Sequence, residues 1–262
     1  KRGFDLSVES ISSSDVDRLL SLQAAHLESE VYVNNTWVGI GINVKKEGLL
    51  SSPDFRVLLD KMIDSKQVMD ESYDPGDARV VTGPFIQDFG IYDESLKDKV
   101  ATADSIISEL VNDFKCEKRK DRFLYCLDTE TGEKKKVDFK LIYRDNFASQ
   151  GSRELNALVK IIGIFRSYGI TVKYLPQPSK VYYDKLKNDK NSWDFFYIEH
   201  EFDWRNNPTP LFKKGGNYNR TGYYNEILEG YIQTFLTTRS INKKKAGENI
   251  HKHCYENVPY LF

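Results

Sequence analysis

The stretch VDFKLIYRDNFASQGSRELNALVKIIGIFRSYGITVKYL, residues 137–175, decides the fold. Residues 137–143 have the composition of a strand, and residues 170–175 form a second apolar, β-branched run. Between them, residues 152–168 place apolar side chains on one helical face, and Gly169 ends the helix as a C′ residue. That buried face is predicted to contain Leu155, Leu158, Val159, Ile162 and Phe165. A strand, a helix and a strand within about 40 residues predict a right-handed βαβ crossover with parallel strands.

The part of the chain before this unit predicts further strands and helices. Residues 4–8 alternate as a short strand does, and the polar run 12–15 is typical of a helix start. Residues 31–42 indicate a strand–turn–strand with the turn at 34–35, and the second strand is apolar on both faces, which places it inside a sheet. A helix is predicted to start at 51–54, with a buried stripe of Phe55, Leu58, Leu59, Met62 and Ile63. A long ordered loop over 73–94 and a helix over 94–114 follow, the latter with Val100, Ala103, Ile106, Ile107, Leu110 and Val111 as apolar positions.

The remaining segments complete an α/β pattern. Residues 123–127 and 137–143 are predicted to pair as a β-hairpin, with Gly132 in the turn. A short helix at 179–187, a strand at 193–198 and two helices at 223–238 and 242–255 follow, and another strand begins within 258–262. The buried stripes of the two last helices are predicted as Ile227, Leu228, Tyr231, Ile232, Phe235 and Leu236, and as Ala246, Ile250 and Cys254.

Charge and composition exclude several classes of protein. The 38 Lys and Arg nearly balance the 39 Asp and Glu, whereas a general nucleic-acid binder usually has a basic surplus. No apolar run reaches the roughly 18 residues that a membrane span requires. The first residues, Lys1 to Asp5, lack the apolar core of a signal peptide. Both ends of the chain suggest a piece of a longer protein.

Three cysteines are too few for a disulfide framework. Cys116 and Cys126 lie ten residues apart and could face each other across a hairpin. Three unpaired thiols are an equally open interpretation, so the cysteine count alone does not fix the redox compartment.

Five passages resemble the solute-binding proteins of ABC importers, in the family that binds dipeptides, oligopeptides and nickel complexes. They are Gly3-Phe4-Asp5-Leu6, the strand 38–43, the helix 54–64, Tyr92-Asp93 and the segment 222–229. The helix is similar to Val-Arg-x-Ala-Leu-x-x-Ala-Ile-Asp, which Arg56, Ile63 and Asp64 match and Leu58 does not. The last segment is similar to Gly-Tyr-x-Asn-Pro-x-Leu-Asp, with Glu226 for Pro and Glu229 for Asp. The order and spacing of the passages across nearly the whole chain carry the resemblance.

The resemblance implies the fold and a binding function. It implies one lobe of a type II periplasmic binding protein, a mixed β-sheet flanked by helices with a β-hairpin excursion, which occupies residues 1–262. The partners implied are a small peptide or other small solute, an N-terminal lobe that this chain lacks, and an ABC transporter permease. An extracytoplasmic location is implied, either periplasmic or at the cell surface through a lipid anchor. No cofactor, no nucleic acid and no membrane span are expected.

Family members hold their ligand in the cleft between two lobes, where extended peptide pairs with strand-like segments. An acidic residue there commonly neutralises the peptide ammonium. The matching stretch of this chain is 193–208, in which Asp203 and Trp204 fall on the family's Asp-Tyr pair and His200 falls where Trp is usual. The candidate ligand contacts are therefore Glu199, His200, Glu201, Asp203 and Trp204.

Simpler interpretations of these residues stay open. Asp203 is also suited to cap the turn into Asn206-Asn207-Pro208. If the strand continues, Glu199 and Glu201 share one face, and a solvated strand end explains both. Half of a metal site at Glu199, His200 and Glu201 is a further alternative.

Other chemistry has little support. His251 and His253 project about 200° apart on a helix and cannot chelate one ion together. His251 and Cys254 are spaced to do so, but Cys254 belongs to the buried stripe. No nucleophile elbow, phosphate loop or zinc-hydrolase helix occurs, so an enzyme is the weakest interpretation. An interaction or surface-antigen module on the same scaffold, without transport function, is the main alternative.

Overall fold

The computed structural model of the chain describes residues 36–86, 92–128, 131–147, 152–202 and 207–261. Its strands are β1 (Thr36–Ile42), β2 (Glu117–Lys118), β3 (Leu124–Leu127), β4 (Lys134–Lys136), β5 (Asp138–Arg144), β6 (Thr171–Gln177), β7 (Phe195–Glu201) and β8 (Tyr260–Leu261). Its α-helices are α1 (Pro53–Met62), α2 (Ser65–Asp70), α3 (Ala103–Asn112), α4 (Arg153–Ser167), α5 (Ser179–Asn188), α6 (Thr209–Phe212), α7 (Glu226–Thr237) and α8 (Ser240–Asn257). The strand predicted at 4–8, the helix after 12–15 and the strand and turn at 31–35 lie outside the described residues.

The predicted βαβ unit is confirmed. Strand β5 pairs in parallel with β6 over its whole length, and helix α4 connects the two. Ser152 caps the helix because its hydroxyl accepts a hydrogen bond from the Leu155 N–H at 3.2 Å. Gly169 follows the helix with a φ of 89°, the left-handed conformation that glycine adopts without strain.

A mixed five-stranded sheet in the order β6-β5-β7-β1-β8 forms the centre of the fold. Strand β5 is also parallel to β7, whereas β1 is antiparallel to both β7 and β8. The prediction that 36–42 lies inside a sheet is therefore confirmed. Helices cover both faces, since the core on one side contains residues of α1, α3 and α4 and the core on the other contains residues of α5, α6, α7 and α8. This is the predicted α/β class.

The predicted hairpin has a different second strand. Leu124–Leu127 pairs with Lys134–Lys136, while residues 138–144 join the central sheet. The chain passes from the small sheet to the central sheet at Val137. The Val137 N–H donates to Leu124 O, and the Val137 carbonyl accepts from the Thr171 N–H. Gly132 occupies the turn with a φ of 71°, as predicted. The apolar run 137–143 is therefore a strand that pairs in parallel with residues 170–175 as predicted, whereas its predicted hairpin pairing with residues 123–127 is wrong.

Cys116 and Cys126 form a disulfide, which resolves the two interpretations left open by the sequence. Strand β2 pairs with β3 directly beside them, through Glu117 and Tyr125. The bond closes a loop of ten residues in sequence and joins the start of the three-stranded sheet β2-β3-β4 to its central strand. A persistent structural disulfide is typical of oxidising, extracytoplasmic compartments.

Replacing both bonded cysteines by serine should lower the free energy of unfolding by about 3 kcal/mol, because a ten-residue loop is no longer closed in the unfolded chain. Urea unfolding of the unmodified protein with and without dithiothreitol measures the effect. The double variant Cys116→Ser/Cys126→Ser is the control, since its midpoint should not respond to the reductant. An unmodified protein whose midpoint is also insensitive would contradict the pairing.

The helix predicted over 94–114 is shorter, because it begins at Ala103. The preceding residues form contacts with other elements instead of helical hydrogen bonds. The Lys99 ammonium pairs with the Asp60 carboxylate at 2.9 Å, and the Ala101 N–H donates to Lys61 O. Thr102 then caps the helix by accepting from Ser105 N–H. The described residues 73–86 and 92–102 thus form no helix or strand, so the predicted loop extends beyond residue 94.

The predicted apolar stripes are too broad at their margins. The stripe of α1 is buried as predicted. In the other predicted stripes, six side chains are 46–60 % exposed, namely Val100, Ile107, Val111, Val159, Ile227 and Leu236. Helix α2 was not predicted at all, because it has only six residues. Asp64, which follows Ile63 at the end of α1, caps it by accepting from Gln67 N–H at 2.9 Å.

Candidate functional site

The carboxyl ends of the three parallel strands meet at one edge of the sheet. These ends are Arg144 of β5, Gln177 of β6 and Glu201 of β7. The first turn of α4 lies at the same edge because this helix follows β5 across the crossover. In open α/β sheets, ligands bind outside the carboxyl ends of parallel strands. We call this region the carboxyl edge.

Strand β7 carries three of the predicted contacts to the carboxyl edge. It remains paired with β1 through its last residue, with Glu199 opposite Val38, His200 opposite Trp37 and Glu201 opposite Thr36. Because side chains alternate along a strand, Glu199 and Glu201 lie on one face and His200 lies on the other. The two carboxylates therefore share a face, and His200 cannot join them around one metal ion.

Glu199 is a half-buried carboxyl group beside a second one. Burial raises its pKa, and the nearby Glu154 of α4 raises it further. Arg144 and a hydrogen bond with Tyr197 act in the opposite direction. A cation bound here would favour the ionised form of both carboxyl groups.

The loop after α2 is fixed to the same edge by Arg153. Its guanidinium donates to the Asp74 carboxylate at 2.6 Å and also pairs with Asp77. This contact brings Tyr73 near Glu154 and Glu199, and burial together with these carboxylates raises the pKa of Tyr73 to about 12. The phenol is consequently a neutral hydrogen-bonding group at physiological pH.

His200, on the opposite face of β7, lies among aromatic rings. Its imidazole meets the ring of Phe202 edge to face at 4.7 Å and the ring of Tyr218 at 5.2 Å between centroids. Tyr218 is 53 % exposed, so this face of the edge offers aromatic surface to solvent. Asp203 and Trp204 lie outside the described residues, and their contact with a ligand remains a prediction.

Sequence reasoning missed the other side chains of the carboxyl edge, namely Tyr73, Arg144, Arg153 and Glu154. Two of them were recognisable in principle. Arg144 ends the first strand of the βαβ unit and Glu154 begins its helix, and the rule that ligands bind at carboxyl ends of parallel strands applies to both. Tyr73 reaches the edge through a loop whose path no local pattern indicates.

The two histidines of α8 have structural partners. The Asp93 N–H donates to His251 Nδ1 at 2.9 Å, and His251 Nε2 donates to Thr82 O at 2.8 Å. These partners fix the neutral tautomer with its proton on Nε2. His253 Nε2 is hydrogen bonded to the Tyr223 hydroxyl at 2.9 Å, and Cys254 is fully buried. The described residues contain no cluster of three side chains suited to hold a metal ion.

The buried His251 predicts a pH dependence of stability. Burial lowers its pKa from 6.5 to about 4, so the unfolded chain binds a proton more readily than the folded protein between these values. The stabilisation is complete above pH 6.5 and is lost as the pH falls toward 4, to a total of about 3 kcal/mol at 1.36 kcal/mol per pH unit.

His251→Gln retains an acceptor and a donor but does not titrate, which makes it the matched control. Chemical unfolding at pH 7 and pH 4 should show a loss for the unmodified protein that exceeds the loss for this variant by about 3 kcal/mol. Equal losses would contradict the assignment of a neutral, buried His251.

Comparison with known proteins supports the fold. No family model and no curated protein sequence matches the chain. Among solved structures, the chain is similar to the oligopeptide-binding protein AppA from Bacillus subtilis, in complex with a nonapeptide, with 17 % identity, a TM-score of 0.75, and coverage of 94 % of this chain and 47 % of that one. It is also similar to the oligopeptide-binding protein from Thermus thermophilus complexed with a pentapeptide, at 15 % identity and a TM-score of 0.73, with 87 % and 41 % covered.

A third structure of similar fold contains a bound nickel complex. NikZ from Campylobacter jejuni, in complex with Ni(L-His), matches with 18 % identity and a TM-score of 0.69, over 87 % of this chain and 44 % of that one. The chain thus spans less than half the length of each of these three binding proteins. Its fold is that of one lobe of an ABC-type solute-binding protein, as the sequence predicted. Within the described residues, no helix is long and apolar enough to cross a membrane.

Proposed function

We propose that this chain is one lobe of the solute-binding component of an ABC importer and that its carboxyl edge forms one wall of a ligand cleft between two lobes. One observation carries the proposal: the chain matches about half of peptide- and nickel-binding proteins over 87–95 % of its own length. The second wall would come from an N-terminal lobe. Closure of the two lobes on a ligand would present it to a permease.

The ligand proposed is a short peptide or another small solute with a cationic group. Glu199 is the residue that favours a cation, because it is half buried and lies near a second carboxyl group, Glu154. Glu201 follows on the same face in an exposed position. The aromatic surface at His200 and Tyr218 would contact apolar parts of the solute. Asp203 and Trp204 are proposed as further contacts on the segment that continues from β7.

An extracytoplasmic location is part of the proposal. The Cys116–Cys126 disulfide supports it independently of the structural relatives, because reducing cytosols rarely maintain such bonds. Binding rather than catalysis is proposed for the carboxyl edge. Among its described side chains, Glu199 and Glu154 lie close together with Arg144 nearby, an arrangement suited to binding a charged group.

Glu199→Gln in the full-length protein should weaken binding of short peptides with a free amino terminus by about tenfold or more, because one charge-assisted contact to a partly desolvated ammonium is lost. Titration calorimetry with a mixture of short peptides and with the same peptides N-acetylated measures the effect. The acetylated peptides should bind the two proteins equally, and Glu133→Gln in the distant hairpin turn serves as the control.

Two results would contradict the proposal at different levels. Equal affinities of the unmodified protein and the Glu199 variant for every peptide would remove Glu199 from the site but leave the lobe assignment intact. Sub-micromolar binding of peptides by this 262-residue chain alone would contradict the two-lobe cleft itself, because half of the contacts would be missing.

A further inference from the structure

The small sheet β2-β3-β4 presents an unusual outer face. Its central strand β3 directs Leu124 and Cys126 into the core, so the alternate side chains point outward. Cross-strand pairing places charged residues of β2 and β4 beside them. We call this surface the hairpin face. It consists of Arg119, Phe123, Tyr125, Leu127, Lys134 and Lys136, together with the exposed turn residues Lys120 and Arg122, and it also contains the carboxylates of Glu117 and Asp121 beside Tyr125.

Cations lie directly on the aromatic rings of the hairpin face. The Lys136 ammonium is 3.1 Å from the centroid of the Phe123 ring, and the Arg119 guanidinium carbon is 4.0 Å from that of Tyr125. Phe123 and Leu127 nevertheless remain 37 % and 36 % exposed. Exposed apolar side chains and cationic groups therefore lie side by side on the hairpin face.

The segment that forms this sheet is basic, in contrast to the whole chain. Residues 115–136 contain eight Lys and Arg against five Asp and Glu, whereas the chain as a whole has a net charge of −1. Glu117 pairs with Arg119 and Lys134. In the part of the chain that the structure describes, no carboxylate forms an ion pair with Lys120, Arg122 or Lys136.

The hairpin face is held rigidly on the lobe. The disulfide joins β3 to the residue before β2, and the Leu124 N–H donates to Gly169 O at the end of the crossover unit's helix. Because this surface is already ordered, little conformational entropy is lost when a partner covers it.

We propose that the hairpin face docks on an anionic phospholipid surface. Lys and Arg are attracted to anionic headgroups, and aromatic and aliphatic side chains at the same level partition into the headgroup–acyl boundary. A soluble polyanion would satisfy the cations but would leave Phe123 and Leu127 exposed. The charge and the apolar surface together favour the lipid.

The docked orientation follows from the path of β5. This strand begins at Asp138, two residues after the small sheet, and ends at Arg144 in the carboxyl edge. Seven residues at about 3.3 Å each separate the two regions by roughly 20 Å. A lobe resting on its hairpin face would hold the carboxyl edge away from the lipid and open to the solution.

Vesicle sedimentation tests the proposal with the chain as it exists. We expect binding to vesicles of phosphatidylcholine with about 30–40 % phosphatidylglycerol, and no binding to pure phosphatidylcholine. Replacing Lys120, Arg122 and Lys136 by Gln should weaken partitioning roughly a hundredfold. Replacing Lys187, Lys244 and Lys245 by Gln removes the same charge from exposed positions elsewhere and should have little effect.

The double variant Phe123→Ser/Leu127→Ser separates a lipid surface from a soluble polyanion. Its binding to anionic vesicles should fall by about tenfold or more while its binding to soluble polyglutamate stays unchanged. The proposal is overturned if anionic vesicles do not bind the protein, if the two triple variants behave alike, or if the double variant binds vesicles as well as the unmodified protein does. Both substituted side chains are partly exposed, so circular dichroism should show an intact fold.

Discussion

Arg56→Met should lower the free energy of unfolding by about 3–5 kcal/mol, because each buried carbonyl that loses its charged donor costs about 1–3 kcal/mol. The guanidinium is 1 % exposed and donates to four backbone carbonyls. Nη1 binds Leu50 O and Ser51 O at 2.9 Å, while Nε binds Asn257 O and Val258 O at 3.0 and 3.1 Å. Methionine fills a similar volume but leaves these buried and partly buried carbonyls without their donor.

Arg56 joins the start of α1 to the end of α8, so its loss affects the closure of the sheet. Val258, whose φ is 43°, turns the chain from α8 into β8, which pairs with β1. Arg56→Lys is the matched control, because it keeps the charge but its single ammonium cannot reach both pairs of carbonyls. Urea unfolding should rank the unmodified protein first, the Lys variant second and the Met variant last. A Met variant within about 1 kcal/mol of the unmodified protein would contradict this role.

Gly41→Ala should destabilise the protein by about 2–3 kcal/mol, although alanine normally stabilises a glycine site. A Cβ at this position would lie 2.1 Å from the nearest carbon of the Phe196 ring. Phe196 is fully buried and lies opposite Gly41 in the β1–β7 pairing, so its ring has little space into which to move.

A double-mutant cycle tests the contact between the two strands. Phe196→Leu shortens the side chain that meets the new methyl group, so the double variant Gly41→Ala/Phe196→Leu should be less destabilised than the sum of its single variants. Gly163→Ala in α4 is the control, because a Cβ there meets no atom within 4 Å and should stabilise the helix by about 0.5–1 kcal/mol. If the losses of unfolding free energy caused by Gly41→Ala and Phe196→Leu are strictly additive, the observed pairing of Gly41 with Phe196 is contradicted.

Several residues that carried the family resemblance stabilise the fold through helix caps and hydrogen bonds to the backbone. Arg56 binds four carbonyls, Asp64 caps α2, and Asn225 caps α7 by accepting from Ile227 and Leu228 N–H at 2.9 and 3.3 Å. Each of these roles depends on local spacing, which a sequence displays directly. The fold could be predicted for this reason, whereas the ligand could not.

The errors in the fold prediction have a common physical cause. Residues 94–102 contain helix-forming side chains, but Lys99 pairs with Asp60 and Ala101 hydrogen bonds to Lys61, both distant in sequence. Residues 137–143 were also predicted to pair with 123–127 in a local hairpin, but they pair with the distant strands β6 and β7, and Lys134–Lys136 occupies the hairpin position. In both places, contacts between residues distant in sequence replace the local structure that was predicted. Of these contacts, the sequence indicated only the pairing of 137–143 with 170–175.

The candidate site was predicted in part. The sequence identified Glu199, His200 and Glu201 as candidates and predicted a strand that ends at residue 198, whereas β7 continues through Glu201 and includes all three. Their neighbours Glu154, Arg144 and Tyr73 come from three other segments, which only the crossover and the Arg153 contact with Asp74 bring together. A binding surface assembled from several chain segments has no contiguous signature.

Carboxyl footprinting of the full-length protein tests the central claim most directly. A water-soluble carbodiimide would label exposed carboxylates in the ligand-free protein and in the protein saturated with its co-purified ligand, with the labelled peptides identified by mass spectrometry. We predict that Glu199 and Glu201 become protected when ligand is bound, while Glu133 in the distant hairpin turn is labelled equally in both states. Equal labelling of Glu199 and Glu201 with and without ligand would contradict a cleft wall at the carboxyl edge.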